Sequence, residues 1–200
     1  MMTPEIIRHL SQDNTLKTVI DRTVPYDWGT GESVYADLLG SIISQQLSVK
    51  AAATIQNRFI ALFEDGYPHP GQLLQLEPTT LRAAGLSQQK SSYMHHVAAF
   101  FLEENILDKD WSVLEDDEII RYLTQIKGVG KWTVEMILMF TLNRPDILPV
   151  DDLGIQNAMK KLYGIEDTGK ALRQRMVELA ECWRPYRTYA CRYLWKWKDQ

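Results

Sequence analysis

The chain has 200 residues, 45% of them hydrophobic and 24% charged, which is the composition of a globular protein able to bury a core and not of a disordered chain. No apolar run approaches the ~20 residues of a membrane span, and the polar N-terminus has no secretory core, so an intracellular protein with no membrane partner is expected. Net charge is −4, a weak argument against nucleic acid, yet residues 170–200 hold eight basic and three acidic side chains, +5, against −9 on the first 169. That basic end is either the solvated side of a helix or an anion-binding face.

Taken in order, the chain reads as helix throughout. Thr3-Pro4-Glu5 combines a capping hydroxyl, a first-turn proline and an acid. Leu38, Leu39, Ile42 and Ile43 recur at helical spacing within 34–45. Ser48 caps a run over 49–63 with Val49, Ala52, Ile55, Phe59 and Phe63 on one side. "EDGYPHPG" (64–71) reads as loop. Helices are expected near 79–84, 89–103 and 116–126. After 124–140, "NRPDILPVDD" (143–152) is a proline-punctuated loop, followed by helices from Asp151 or Asp152 to about Tyr163, over 169–182 and over 186–198. Neither strand alternation nor an internal repeat is present, so the fold class is all-α. Cys182 and Cys191 are the only cysteines; on one helix they would stand ~13 Å apart, too far for a disulfide. Two thiols also cannot make a four-cysteine iron–sulfur or zinc site.

The stretch "TQIKGVGKWTVEMILMF" (124–140) breaks a helix at Gly128-Val129-Gly130 and restarts it at once. Glycine reaches hairpin dihedrals without a Cβ penalty and leaves amide N–H groups uncovered at the next helix start, a socket for phosphate. Lys127 and Lys131 flank it. Alone, this motif is equally a tight turn between two helices.

"L-x-x-I-K-G-V-G-K-W-T", then "LPVDDLGI", "CWRPYRTYACRYLW" and, upstream, "SIISQQLSVKAA" (41–52) together resemble the helix–hairpin–helix–Gly/Pro–Asp superfamily of DNA base-excision glycosylases. Within it they are most similar to the alkylation-repair branch, 3-methyladenine DNA glycosylase II. The motifs lie in order between about residue 34 and residue 197. The resemblance implies one catalytic unit over 1–200, built from two helical subdomains, 34–128 and 1–33 plus 129–200, with the active-site cleft between them and the helix–hairpin–helix at 116–143. It implies a monofunctional hydrolase that flips alkylated purines from damaged double-stranded DNA and cleaves the N-glycosidic bond, 3-methyladenine first and 7-methylguanine second. A monomer working wherever the cell keeps its DNA, nucleoid or nucleus, is expected. The alternatives are a glycosylase of the superfamily for another lesion and a non-enzymatic helix–hairpin–helix binding module.

Cleavage passes through an oxocarbenium-like sugar, so a carboxylate near C1′ stabilises the developing charge. An alkylated purine is already a cationic leaving group and needs no strong general acid. The family pattern sets the catalytic acid three before Ile155, at Asp152, and makes Asp151 the N-cap. Where lyase relatives carry a Schiff-base lysine, immediately before Thr133, this chain has Trp132. Lys131 is turned ~100° from that position and suits a phosphate instead. The resemblance further implies a base pocket from Trp132, Tyr186 and Trp183, with Met136 and Leu153 where relatives have aromatics, and Glu135 nearby. It places DNA contacts at Gln45, Gln46, Lys127, Gly128, Val129, Gly130 and Lys131, Gln46 being the favoured wedge. No cofactor is expected to be required, and no iron–sulfur cluster. A sodium or potassium ion on hairpin carbonyls near Thr124, Ile126 and Val129 is implied. His95 and His96 diverge on a helix and make a poor metal pair.

Overall fold

Apolar side chains recur every three or four residues through most of this chain, and each such run forms a helix that buries one stripe. The structure, a computed structural model, describes residues 2–25, 29, 31 and 33–198. Among these the helices begin with α1 (Pro4–Leu10), α2 (Asn14–Ile20), α3 (Val34–Ser44) and α4 (Val49–Ile60). They continue with α5 (Pro70–Gln75), α6 (Pro78–Ala83), α7 (Gln88–Glu103), α8 (Asp116–Leu123) and α9 (Lys131–Met136). The last are α10 (Leu153–Tyr163), α11 (Gly169–Leu179) and α12 (Arg187–Lys198). No strand occurs among the described residues, and the fold is all-α.

The caps explain most boundaries. Thr3 Oγ1 accepts from Ile6 N–H at 3.4 Å and Ser48 Oγ from Ala51 N–H at 3.3 Å, as expected from their sequence positions. Other boundaries depart from expectation. Pro70, placed in a loop, is instead the first residue of α5, where a missing N–H costs nothing. α2, absent from the expected elements, starts because Asp13 Oδ1 accepts from Thr15 and Leu16 N–H. α11 stops at Leu179 and a 3-10 turn, Ala180–Trp183, follows. Cys182 therefore lies in that turn and Cys191 on α12, not on one helix, and neither forms a disulfide.

The chain divides into two compact units, Gly31–Ile137 and Met1–Thr30 with Leu138–Gln200. The expected boundary after residue 128 is moved to 137, because α9 packs on α8 and so stays with the central unit. Within Gly31–Ile137, α7 is the spine against which α3, α5 and α6 pack. Leu38, Ile42, Leu73, Leu81, Met94 and Val97 are wholly buried there, each worth roughly 1.5–3 kcal/mol of burial. Tyr35 is buried too, and its hydroxyl donates to Pro68 O at 2.7 Å.

In the other unit α12 packs on α10 and α2. One carboxylate ties three parts of it together. Asp13 caps α2 through Oδ1, while Oδ2 accepts from Tyr163 OH at 2.6 Å and Trp183 Nε1–H at 2.9 Å. Burial pushes the Asp13 carboxyl up, but the hydrogen bonds from Tyr163, Trp183, Leu16 and Thr15 outweigh it and hold the group below the ordinary carboxylate value. A depressed native pKa adds stability that is complete above the unfolded value and lost as pH falls through the native one. Asp13→Ala should therefore cost about 2–4 kcal/mol at pH 7 by urea unfolding. The gap to wild type should be flat above about pH 5 and narrow below about pH 4. A gap that widens on acidification would contradict this.

Candidate active site

The loop 143–152 cannot continue a helix through Pro145 and Pro149, so its shape depends on what holds it. The start of α12 does so. Thr188 Oγ1 accepts from Ile147 N–H at 3.0 Å and donates to Arg144 O at 2.7 Å, while Thr188 N–H donates to Pro145 O at 3.0 Å. Asp146 accepts from Arg187 Nε at 2.7 Å and Arg184 Nη1 at 2.6 Å. From α10, Gln156 Nε2 donates to Val150 O at 2.7 Å.

That loop delivers Asp152 to the N-cap of α10. Asp152 Oδ1 accepts from Ile155 N–H at 2.8 Å, and Trp195 Nε1 of α12 donates to the same oxygen at 2.8 Å. Here the N-cap expected at Asp151 is corrected: Asp151 is exposed and paired with Arg173, and Asp152 itself is the cap. An N-cap carboxylate faces the positive end of the helix dipole, which favours an anion there. Gly154 leaves room for this arrangement, since a Cβ would lie 3.0 Å from both Asp152 Oδ1 and Trp195 Cδ1 and press on each by a few tenths of an ångström.

Among the expected pocket residues, Trp183 is corrected outright. It is 0% exposed, its ring lies against Tyr163, and its N–H is on Asp13, so it is core. Tyr186 is half-buried with its ring edge-to-face with His9 at 5.3 Å. Leu153, beside Asp152, is 72% exposed.

In the other unit, Trp132 is 40% exposed on the first turn of α9, and Met136 is half-buried one turn on. Glu135 is buried and its Oε1 lies 3.6 Å from Lys131 Nζ. α9 then widens into a π-helical turn, Ile137–Thr141. The two glycines of the hairpin have different reasons to be there. Gly128 has φ +99°, and a Cβ on it would fall 2.2 Å from the Tyr93 ring. Gly130 is the N-cap of α9 in an extended conformation, with open space where a Cβ would go. Unusual dihedrals thus explain Gly128 alone. Lys127, Gly130 and Lys131 are exposed, and Val129 is buried under the turn.

At the end of α3, Gln46 holds φ +59°, uncommon for a residue with a Cβ. Gln45 precedes it as the C-cap, and Lys90 Nζ of α7 donates to Ile43 O and Gln45 O at 2.8 Å each. A cation at that carbonyl end complements the dipole. Gln46, Leu47, Ser48, Val49 and Lys50 are all exposed beyond it.

Residues 39–189 match the family model described as HhH-GPD superfamily base excision DNA repair protein. The chain belongs to that family. It is 34% identical over 170 residues to the putative DNA-3-methyladenine glycosylase YfjP of Bacillus subtilis, covering 82% of this chain and 58% of that relative's length. A solved DNA-3-methyladenine glycosidase of Bacillus halodurans is 35% identical with a TM-score of 0.83, covering 99% of this chain and 90% of the other. The 3-methyladenine DNA glycosylase Mag1 of Schizosaccharomyces pombe, solved with abasic DNA, is 32% identical with a TM-score of 0.81, covering 96% and 95%.

Two features of this HhH-GPD chain escaped the sequence. The basic C-terminal end is not an open anion face: Arg173, Arg175, Arg184 and Arg187 are each paired with carboxylates of their own unit. Arg192 is buried, 5.5 Å from the Tyr189 ring, and donates to Met139 O at 3.4 Å. Trp195 and Thr188 were legible in principle, because they are seven apart and so share one face of α12.

The hairpin glycines give a direct prediction. Gly128→Ala should lower unfolding stability by about 2–4 kcal/mol, through left-handed strain and the clash with Tyr93. Gly130→Ala should cost under about 1 kcal/mol, the ordinary difference at an N-cap. Equal losses in urea titrations would mean that the turn is not built as described.

Proposed function

We propose that this HhH-GPD chain is a monofunctional DNA glycosylase that hydrolyses the N-glycosidic bond of alkylated purines in damaged duplex DNA, 3-methyladenine foremost. The observation that carries it is the Asp152 carboxylate, held at a helix N-cap by donors from α10 and α12. A group that only gripped the DNA backbone would be cationic; a fixed carboxylate suits the positive charge that grows on the deoxyribose as the bond breaks. In this reading Asp152 faces C1′ and orients the attacking water, and the cationic base leaves without a strong acid.

Trp132 supports the monofunctional assignment, since an indole cannot form a Schiff base and Lys131 is drawn toward Glu135. Its exposed ring and that of Tyr186 are assigned to the extruded base, where stacking and cation–π attraction favour a positively charged purine. Met136, one turn on from Trp132, and Leu153, beside Asp152, are likewise assigned to base contact. Gln46, on a strained and exposed turn, is the assigned wedge, with Gln45 behind it. Lys127, Lys131 and the amides of Gly128 and Gly130 are assigned to a phosphate; the Val129 contact expected from the sequence is corrected, because Val129 is buried and its N–H is donated to Ile126 O.

Carbonyls of Thr124, Ile126 and Val129 are oxygen donors of the type a sodium or potassium ion takes. Ile126 O accepts Val129 N–H at 3.0 Å and, as a carbonyl, has a second lone pair, so the turn fits such an ion. An ion there would lend positive charge to a bound phosphate. The protein is assigned a monomeric, intracellular role on DNA.

Incubated with methylated duplex, the protein should release 3-methyladenine and leave the strand intact until alkali is added. Borohydride should trap no covalent adduct. A trapped adduct or a nicked strand would overturn the monofunctional assignment.

Affinity supplies a second test. Because the net charge of −4 repels DNA and four C-terminal arginines are paired with carboxylates of their own unit, only a few phosphates are expected to be neutralised. The slope of log K against log salt should be no steeper than about −3, at about −0.9 per phosphate. A slope near −8 would show that these arginines leave their carboxylates for DNA.

A further inference from the structure

We propose that Trp195 is a positioning residue for base release, its indole N–H fixing the orientation of the Asp152 carboxylate. The inference rests on Asp152 being the catalytic acid. An aspartate carboxylate rotates broadly about its last torsion, and one cap hydrogen bond does not select a single plane. Here Oδ1 receives a second donor at 2.8 Å from a different helix, so the two bonds approach from α10 and α12 and choose one orientation. Trp195 is itself held. Its ring lies 5.9 Å from that of Phe140, and its Cδ1 and Nε1 would be 3.0 and 3.1 Å from a Cβ on Gly154. That same Cβ would be 3.0 Å from Asp152 Oδ1, so a methyl at 154 presses on both partners at once.

An alternative is that Asp152 merely satisfies a half-buried indole N–H, as such groups require. The two accounts differ in what happens once the charge is gone. Trp195→Phe keeps a ring and removes the donor. It should slow single-turnover release of 3-methyladenine about ten- to a hundredfold, the size expected of one hydrogen bond to a charged group. Affinity for an abasic duplex should stay within about twofold and the thermal midpoint close to wild type. Placed on Asp152→Asn, the same change should slow the residual reaction by less than about twofold, because no carboxylate remains to be oriented. Gly154→Ala should lower the rate in the same sense by displacing the carboxylate from the other side.

A wild-type rate in Trp195→Phe overturns the proposal, as does an equal loss with and without the Asp152 charge. Failure of the underlying assignment looks different, since Asp152→Asn alone would then release base at nearly the wild-type rate. If Trp195→Phe melts early, Gly154→Ala decides the matter, and a wild-type rate there overturns the positioning role.

Discussion

The Asp152 carboxylate stands at the end of a chain of restraints that runs from the start of α12 through the loop 143–152. The end of the proline-rich loop turns on itself, with Val150 N–H donating to Leu148 O and Asp152 N–H to Pro149 O at 3.0 Å each, while its first half is held from outside. Thr188 and Arg187 at the start of α12 grip the loop at Arg144, Pro145, Asp146 and Ile147. Two turns further along the same helix, Trp195 reaches the carboxylate itself. A single rigid helix thus sets both where the loop runs and how its last side chain is aimed. Proline, the Arg–Asp pairs and Gly154 become parts of one device, and each would be hard to explain alone.

The same logic accounts for how charge is spent. A run of arginines near the C-terminus looks like a DNA-binding face when only composition is considered. In the fold those guanidiniums neutralise Asp146, Asp151, Glu178 and Glu181, and Arg192 lies inside the unit. The exposed pairs among these, Arg173–Asp151 and Arg175–Glu178, add little stability individually, about 0–1 kcal/mol each, whereas Arg187–Asp146 is largely buried. Their value here is geometric, because Asp146 fixes the loop that carries Asp152. With four of its C-terminal arginines paired to carboxylates, that end of an acidic protein is not a broad electrostatic face, which suits a grip made from hairpin amides and two lysines.

Much of the fold was legible because helical periodicity is a strong signal over long elements. α3, α7, α10 and α12 fall within a residue or two of where apolar spacing put them. Short elements were not: α2 depends on the Asp13 cap and α5 on Pro70, and seven or six residues carry too little periodicity to announce a helix. Asp152, Trp132, Tyr186 and the hairpin stand out in the sequence as candidates because motif spacing marks them. Trp183 could not be told from a pocket wall, since burial and its bond to Asp13 are tertiary facts. Trp195, Asp146 and Gly154 went unnoticed for the same reason. Their partners lie up to 43 residues away, and although spacing puts Trp195 on one face of α12 with Thr188, it does not say what that face meets.

The central claim is that one carboxylate, Asp152, meets the positive charge that develops on the sugar. A structure of the protein bound to duplex DNA carrying a cationic aza-sugar at the lesion position tests it most directly. The account predicts the ring nitrogen within ~4–6 Å of the Asp152 carboxylate, the range over which an opposite charge is strongly felt. A ring nitrogen closer to Asp151 or Glu135, with Asp152 turned away, would contradict it.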